Sequence, residues 1–273
     1  MRHAPSDEAA LLYRAALDWS LDDPIVINSR DDLVSEKKWK HLVDPYHHQV
    51  TNLLTFCRRL PVTLLADDVG LGKTISAGLI ASELMSRKRV TRILIVCPKI
   101  LTHQWQEELK TKFGIESIVA IGNELLSAKL KTERYAVITT YNTARLHLES
   151  LPDDSFQMLV LDEAHKLRNL FGSDDPPQVA LTFQRVLEAR FFKYVLMLTA
   201  TPIQNRLWDL YSIIQLLTTA KGHENPFGSP GQFKRKYIVD DEKDSRRLNP
   251  EAKEEFQSIV YSYMSRIDRK SVV

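Results

Sequence analysis

Cysteine is almost missing: Cys57 and Cys97 are the only two in 273 residues. With no Cys-x-x-Cys pair and no histidine–cysteine cluster at zinc spacing, a disulfide scaffold and a structural zinc site are both excluded as the basis of the fold. A reducing compartment fits best. Long apolar runs are absent too, since no stretch approaches the roughly 18 residues of a membrane span. The opening MRHAPSDEAALLYRAALDW lacks the basic-then-apolar order of a secretory leader. The sequence therefore reads as cytoplasmic, or nuclear if eukaryotic, with no membrane partner. Charge of one sign is scarce: 37 Lys and Arg against 35 Asp and Glu leave a net charge of +2. No global basic field advertises nucleic acid, so any such binding has to be local. Internal repeats and low-complexity tracts are missing as well.

What is present suits an α/β enzyme domain. A chain of this length with 44% hydrophobic residues can bury a substantial core. Short aliphatic or β-branched runs recur at 62 to 66, 93 to 97, 117 to 121, 135 to 140, 157 to 162 and 194 to 199. Helical spacings lie between them, with Trp105, Leu109 and Phe113 on one face, and later Ile203, Leu207, Leu210, Ile214 and Leu217. Strands alternating with amphipathic helices predict a doubly wound parallel sheet covered on both faces. Such sheets bind ligands at the carboxyl ends of their strands. Residues 1–40 break this rhythm and read as an N-terminal preamble to a single lobe over 41–273. FGSDDPPQ at 171 to 178 and NPFGSPGQ at 225 to 232 are loops by composition, and the remainder reads as charged and helical to the end.

The run VTLLA leads through DDVGLGKT into a helical pattern carrying Ile75, Leu79, Ile80 and Leu84. That is the strand, loop and helix order a phosphate-binding loop requires. The triplet Gly-Lys-Thr alone would arise by chance in roughly one chain of this size in ten, so context and partners decide. Gly70 and Gly72 would let backbone N–H groups, that of Leu71 between them, close around phosphates; Lys73 would reach the β and γ phosphates, and Thr74 would bind magnesium. The strict pattern places glycine where this chain has Asp67, a departure tolerable in a loop that works through its backbone. The partner follows the run QMLVL, where Asp162 would hold magnesium and Glu163 would orient and deprotonate the attacking water.

These residues, with four further segments in order, closely resemble the first RecA-like lobe of the Swi/Snf-type ATPases, the double-stranded-DNA translocase branch of helicase superfamily two. DDVGLGKTISAGLI resembles that family's first motif and ILIVCPKILTHQW its motif Ia. VITTYNT resembles motif Ib, DEAHKLRN the Walker B segment, and LTATPIQNRLWDLYSII motif III with its following helix. Asp68 stands where glutamate is customary, and Ala200 where glycine is more usual. VGLGKTISAGLI leans toward the bacterial RNA-polymerase-recycling type, which would place the protein at the nucleoid. The resemblance implies ATP and magnesium as cofactors, Gln49 as the adenine-reading residue, and His165, Thr199 and Thr201 as the group coupling hydrolysis to movement. Adjacent His47 and His48, with no third ligand, read as surface or packed side chains rather than a metal site.

By the same resemblance, motifs Ia and Ib grip duplex DNA along its phosphates, through Pro98, Lys99, Thr139, Thr140 and Tyr141. Hydroxyls, backbone N–H groups and one lysine suit contacts that position without reading bases. The basic runs at 87 to 89 and 234 to 236 read first as solvated faces. A second RecA-like lobe, in the same chain or a separate subunit, would supply the arginine fingers, and without it this lobe should hydrolyse ATP very slowly. Two other readings stay open: a strand-separating DEAH-type helicase on RNA or DNA, and a non-catalytic nucleotide-dependent interaction module.

Overall fold

The six apolar runs form six parallel strands; five of them are buried on both faces, which rewards an unbroken hydrophobic sequence over an alternating one, and the run at 117 to 121 gives a partly buried edge strand. The computed structural model describes residues 25–129, 132–172, 175–203, 206–239 and 247–267. In chain order the strands are β1 (Val62–Leu65), β2 (Arg92–Cys97), β3 (Ser117–Val119), β4 (Tyr135–Thr140), β5 (Met158–Asp162) and β6 (Tyr194–Leu198). A seventh, β7 (Met264–Ser265), lies in the segment expected to be helical to its end. Two residues among helical neighbours carry no strand periodicity; this one exists through pairing, with Leu64 and Leu65 of β1 opposite Met264 and Ser265. All pairs are parallel, in the order β3-β4-β2-β5-β6-β1-β7.

The principal helices are α1 (His47–Arg58), α2 (Lys73–Ser86), α3 (Thr102–Phe113), α4 (Tyr141–His147), α5 (Gln178–Glu188), α6 (Leu207–Lys221), α7 (Pro230–Tyr237) and α8 (Lys253–Tyr263). Successive strand residues point to opposite faces, so each strand feeds two cores. Met158 and Val160 of β5 join Leu53, Leu79, Trp105 and Phe113 of α1 to α3 on one face. Leu159 and Leu161 join Phe183, Leu210 and Ile214 of α5 and α6 on the other. This is the doubly wound sheet that the sequence predicts.

Three local readings need correction. Ile203 does not extend the apolar stripe of α6, which starts at Leu207; Ile203 precedes it and is 44% exposed. The loop at 225 to 232 is shorter than its composition suggests, because Ser229 caps α7 and Pro230 occupies its first turn, where a missing N–H costs nothing. The loop at 171 to 178 likewise gives way to α5 at Gln178.

The described part of the preamble is packed rather than detached: Ile27, Leu33 and Trp39 belong to the same core as α1 to α3. Residues 1–24 lie outside the described residues.

Candidate functional site

Strand order creates the site. β5, β6 and β1 are neighbours, so the segments that leave their carboxyl ends, Asp162-Glu163, Thr199 to Pro202 and the loop from Asp67 to Lys73, emerge side by side. On the other side of β5 come β2 and β4, whose ends carry Pro98-Lys99 and Thr140-Tyr141.

The loop after β1 has the backbone of a phosphate cradle. Gly70 and Gly72 take positive φ of 86° and 71°, and Gly72 is the residue immediately before α2, whose first N–H groups have no acceptor within the helix. Glycine at 72 suits the left-handed backbone, which a Cβ would strain, and a Cβ there would also displace the end of the Gln49 side chain, whose Nε2 would lie 2.5 Å away. Lys73 Nζ folds back over the loop, donating to the carbonyls of Asp67 at 2.9 Å and Asp68 at 3.3 Å. Two groups of α1 brace it from behind: Gln49 Nε2 donates to the Leu71 carbonyl at 3.1 Å, and His48 Nε2 lies 2.9 Å from the same oxygen. His48 is thus a packed side chain, stacked on an exposed Tyr46 with centroids 5.7 Å apart. The other end of Gln49 accepts from the Tyr46 amide at 3.0 Å.

Asp67 explains why the first glycine of the pattern is dispensable. Its side chain is fully buried behind the loop, accepting from Asn52 Nδ2 at 2.6 Å and from the Ile267 amide at 3.0 Å. Burial raises its pKa, and the bonds from Asn52 and Ile267 oppose that rise. The loop therefore leans on a network the sequence did not announce. Asn52 also donates to Ser76 Oγ and accepts from Ser265 Oγ, while Ala66 and Asp68 donate their amides to the carbonyls of Ser265 and Ile267. Asn52 lies one helical turn after Gln49, the one sequence signal that could have suggested it. Replacing Asn52 by Ala strands two buried oxygens, and a loss of about 2–3 kcal/mol is expected in denaturant unfolding.

The carboxylates are held differently. Asp162 is 6% exposed; its Oδ2 accepts from Trp105 Nε1 of α3 at 2.8 Å, its Oδ1 from the Glu163 amide at 2.9 Å, and its carbonyl from Tyr141 Oη at 2.8 Å. Burial raises its pKa, and Glu163 nearby raises it further against the indole bond. Glu163 has the opposite environment: it is half-exposed, and the bond from His165 is the main reason its pKa is lowered. His165 Nδ1 lies 3.1 Å from Glu163 Oε2 and 3.3 Å from Thr199 Oγ1. A carboxylate only accepts, so Nδ1 carries the proton. Thr199, fully buried, accepts in turn from the Thr201 amide at 3.2 Å, while Thr201 itself is exposed. One hydrogen-bonded line joins Glu163, His165, Thr199 and Thr201.

A hydroxyl at Thr74 and a carboxylate at Asp162 are hard oxygen donors of the kind magnesium takes, alongside water and phosphate oxygens. With the open loop and Lys73, the residues present fit a magnesium–nucleotide complex.

The segments expected at DNA divide in two. Lys99 is exposed, Pro98 is half-buried, and Thr140 caps α4 by accepting from the Thr143 amide at 3.2 Å. The hydroxyls of Thr139 and Tyr141 are committed inside the lobe, Thr139 to the Ala120 carbonyl at 2.7 Å and Tyr141 to Asp162. Neither side chain is placed to meet a phosphate. The exposed Asn142 and Arg145 beside them line a cleft of about 640 Å³ together with His165 and Lys166. In the two basic runs, Arg87 pairs with Glu83, and Lys236 with Glu255. No helix among the described residues is long and apolar enough to cross a membrane.

The chain is similar to proteins of known family. It is 34% identical over 205 residues to the uncharacterized ATP-dependent helicase YqhH of Bacillus subtilis, covering 74% of this chain and 32% of that protein. It is 34% identical over 175 residues to the RNA polymerase-associated protein RapA of Serratia proteamaculans, covering 61% of this chain and 18% of that one. Among solved structures it is similar to the Sulfolobus solfataricus SWI2/SNF2 ATPase core in complex with dsDNA, with TM-score 0.65, 26% identity, 84% of this chain covered and 47% of that chain. It therefore spans a third or less of the two sequence relatives and about half of the structural one. The SNF2-related domain family matches residues 46–273, most of the chain, and to that family the chain belongs.

Proposed function

We propose that the chain is the ATP-binding lobe of a DNA-dependent ATPase that translocates on double-stranded DNA and remodels protein–DNA complexes. The observation that carries this is the line from Glu163 through His165 to Thr199 and Thr201, set between the phosphate loop and the ends of β2 and β4. In this reading residues 41–273 are the lobe, with the preamble of residues 1–40 leading into it. Gly70, Leu71, Gly72, Lys73 and Thr74 cradle the phosphates, and Gln49 reads adenine when it lets go of Leu71. Asp67 supports the loop from behind. Thr74 and Asp162 hold magnesium, which when bound neutralises phosphate charge. Glu163 takes the proton of the attacking water, and His165 keeps its carboxylate oriented.

Duplex phosphates meet Pro98, Lys99 and Thr140, with Thr139 and Tyr141 shaping the surface from within. A second RecA-like lobe closes the site with arginine fingers, which are worth 10³ to 10⁵ in rate, so this lobe alone turns over slowly. A soluble cytoplasmic protein at the nucleoid fits its similarity to RapA.

Lys73→Ala tests the site. ATP affinity, measured by calorimetry on this chain, is expected to fall about 10- to 100-fold, the worth of one or two charge-assisted hydrogen bonds. Unchanged affinity would remove the cradle from the proposal. Displacement of a third strand from a triplex by the full-length protein, without opening of the duplex beneath, separates translocation from strand separation. Binding without any DNA-stimulated turnover would favour an interaction module.

A further inference from the structure

Two side chains grip the magnesium-side aspartate, and both come from the segments that face DNA. Trp105 stands one turn into α3, the helix that follows Pro98 and Lys99 from the end of β2. It is 2% exposed and its only donor, Nε1, is directed at Asp162 Oδ2. Tyr141 opens α4 directly after Thr140 at the end of β4, is 8% exposed, and donates to the Asp162 carbonyl. The two bonds reach across 57 and 21 residues of sequence to one residue. Plain core packing would need neither: Leu and Phe fill such positions without burying a donor. Tyr141 also lines the cleft that Asn142 and Arg145 share with His165, so its ring touches the surface while its hydroxyl reaches the site.

We propose that Trp105 and Tyr141 are positioning residues that fix the Asp162 carboxylate, and that through them contact of duplex DNA with the ends of β2 and β4 sets the magnesium–nucleotide affinity of the lobe. This deepens the proposed function and rests on it. The physical basis is rigidity. Each bond is 2.8 Å long, and its donor is buried and held in or directly on a rigid aromatic ring, so a shift of α3 or α4 by a fraction of an ångström must move or break a bond to Asp162. Phosphates pulling on Lys99 and Thr140 act on those same two helices at their amino ends.

The test uses this chain, Mg-ADP and a short duplex of arbitrary sequence. In the unsubstituted chain, duplex is expected to change Mg-ADP affinity by about fivefold or more, and Mg-ADP to change duplex affinity by the same factor. Trp105→Phe and Tyr141→Phe, which keep an aromatic ring and remove one donor each, should bring that factor to within about twofold of one, and Trp105→Phe should do so with nucleotide-free duplex affinity nearly unchanged. Trp105→Phe should also raise the magnesium concentration for half-maximal ADP binding about 10-fold, the usual scale for a group supporting a metal ligand. A structural role alone would lower melting temperature without touching the coupling factor.

Should either variant fail to fold, the unsubstituted chain still answers. One of its four indole N–H resonances is expected to move when magnesium is added to the ADP-bound chain. Coupling retained in folded variants, a factor of one in the unsubstituted chain, or four unmoved indole signals would each overturn the inference. If the unsubstituted chain binds neither Mg-ADP nor duplex, it is the proposed function that fails.

Discussion

Glu163→Gln is expected to leave ATP and duplex binding intact while slowing DNA-stimulated turnover of the full-length protein by roughly 10²- to 10⁴-fold, the usual contribution of a general base. Glutamine keeps the size and one accepting oxygen but cannot take a proton from water. The environment of Glu163 supports the role. Asp162 is buried, and burial is the main reason its pKa is raised, whereas its neighbour is half-exposed and held below the ordinary glutamate value chiefly by the bond from His165, so Glu163 is ionised near neutral pH. Its backbone carries a second sign, because Glu163 sits at φ 56° and ψ 48°, a left-handed conformation that a non-glycine residue adopts at a cost of order 1–3 kcal/mol. Strain of that kind persists where it aims a side chain, here away from the strand axis and toward His165. The measurement is steady-state phosphate release with saturating duplex, beside calorimetric ATP binding. Turnover within about tenfold of the unsubstituted protein would move the base elsewhere.

The parallel sheet was readable because its five central strands are buried on both faces and so appear as nearly unbroken apolar runs; Leu159 and Val160 serve opposite cores yet look alike in sequence. The loop from Gly70 to Thr74 and the Asp162-Glu163 pair were readable for a different reason: their geometry is local, set within a few residues of a strand end. What stayed hidden was long-range and polar. Trp105 was legible only as one of three apolar residues on a helix face, because periodicity reports burial and says nothing about where an indole N–H points. Asn52 had no apolar signature at all, and its partner Ser265 is 213 residues away. Tyr141 was expected at DNA on the strength of its segment, while its hydroxyl turns inward to Asp162. The segment was informative and the side-chain direction was not.

Glu83→Ala is expected to destabilise the chain by about 3 kcal/mol, roughly a 150-fold change in the unfolding constant, since the truncation leaves buried donors without an acceptor. Glu83 is a fully buried carboxylate in the last turn of α2, ten residues after the phosphate-loop lysine. It accepts from the amides of Val34 and Ser35 at 3.1 and 2.9 Å and pairs with Arg87 at 2.6 Å, while Trp39 Nε1 donates to Ser35 Oγ at 3.0 Å. Burial is the largest single influence on Glu83 and would raise its pKa, but the bonds from Ser35, Arg87 and Val34 together outweigh it and hold the group below the ordinary value. The sign follows: a depressed folded pKa adds stability that is complete above the unfolded value of about 4.3 and lost as pH falls through the folded one. Glu83→Gln should therefore remove part of the acid dependence of unfolding below about pH 4.3, while costing less than Ala near neutrality because an accepting oxygen remains. Melting temperature should drop by about 6–12 °C in Glu83→Ala, at 2–4 °C per kcal/mol for a domain of this class. Because the donors belong to residues 34 and 35, the same variant should loosen the docked part of the preamble, read as earlier proteolytic cleavage between residues 25 and 40. A variant as stable as the parent and equally resistant there would mean that Ile27, Leu33 and Trp39 hold this segment by apolar packing alone.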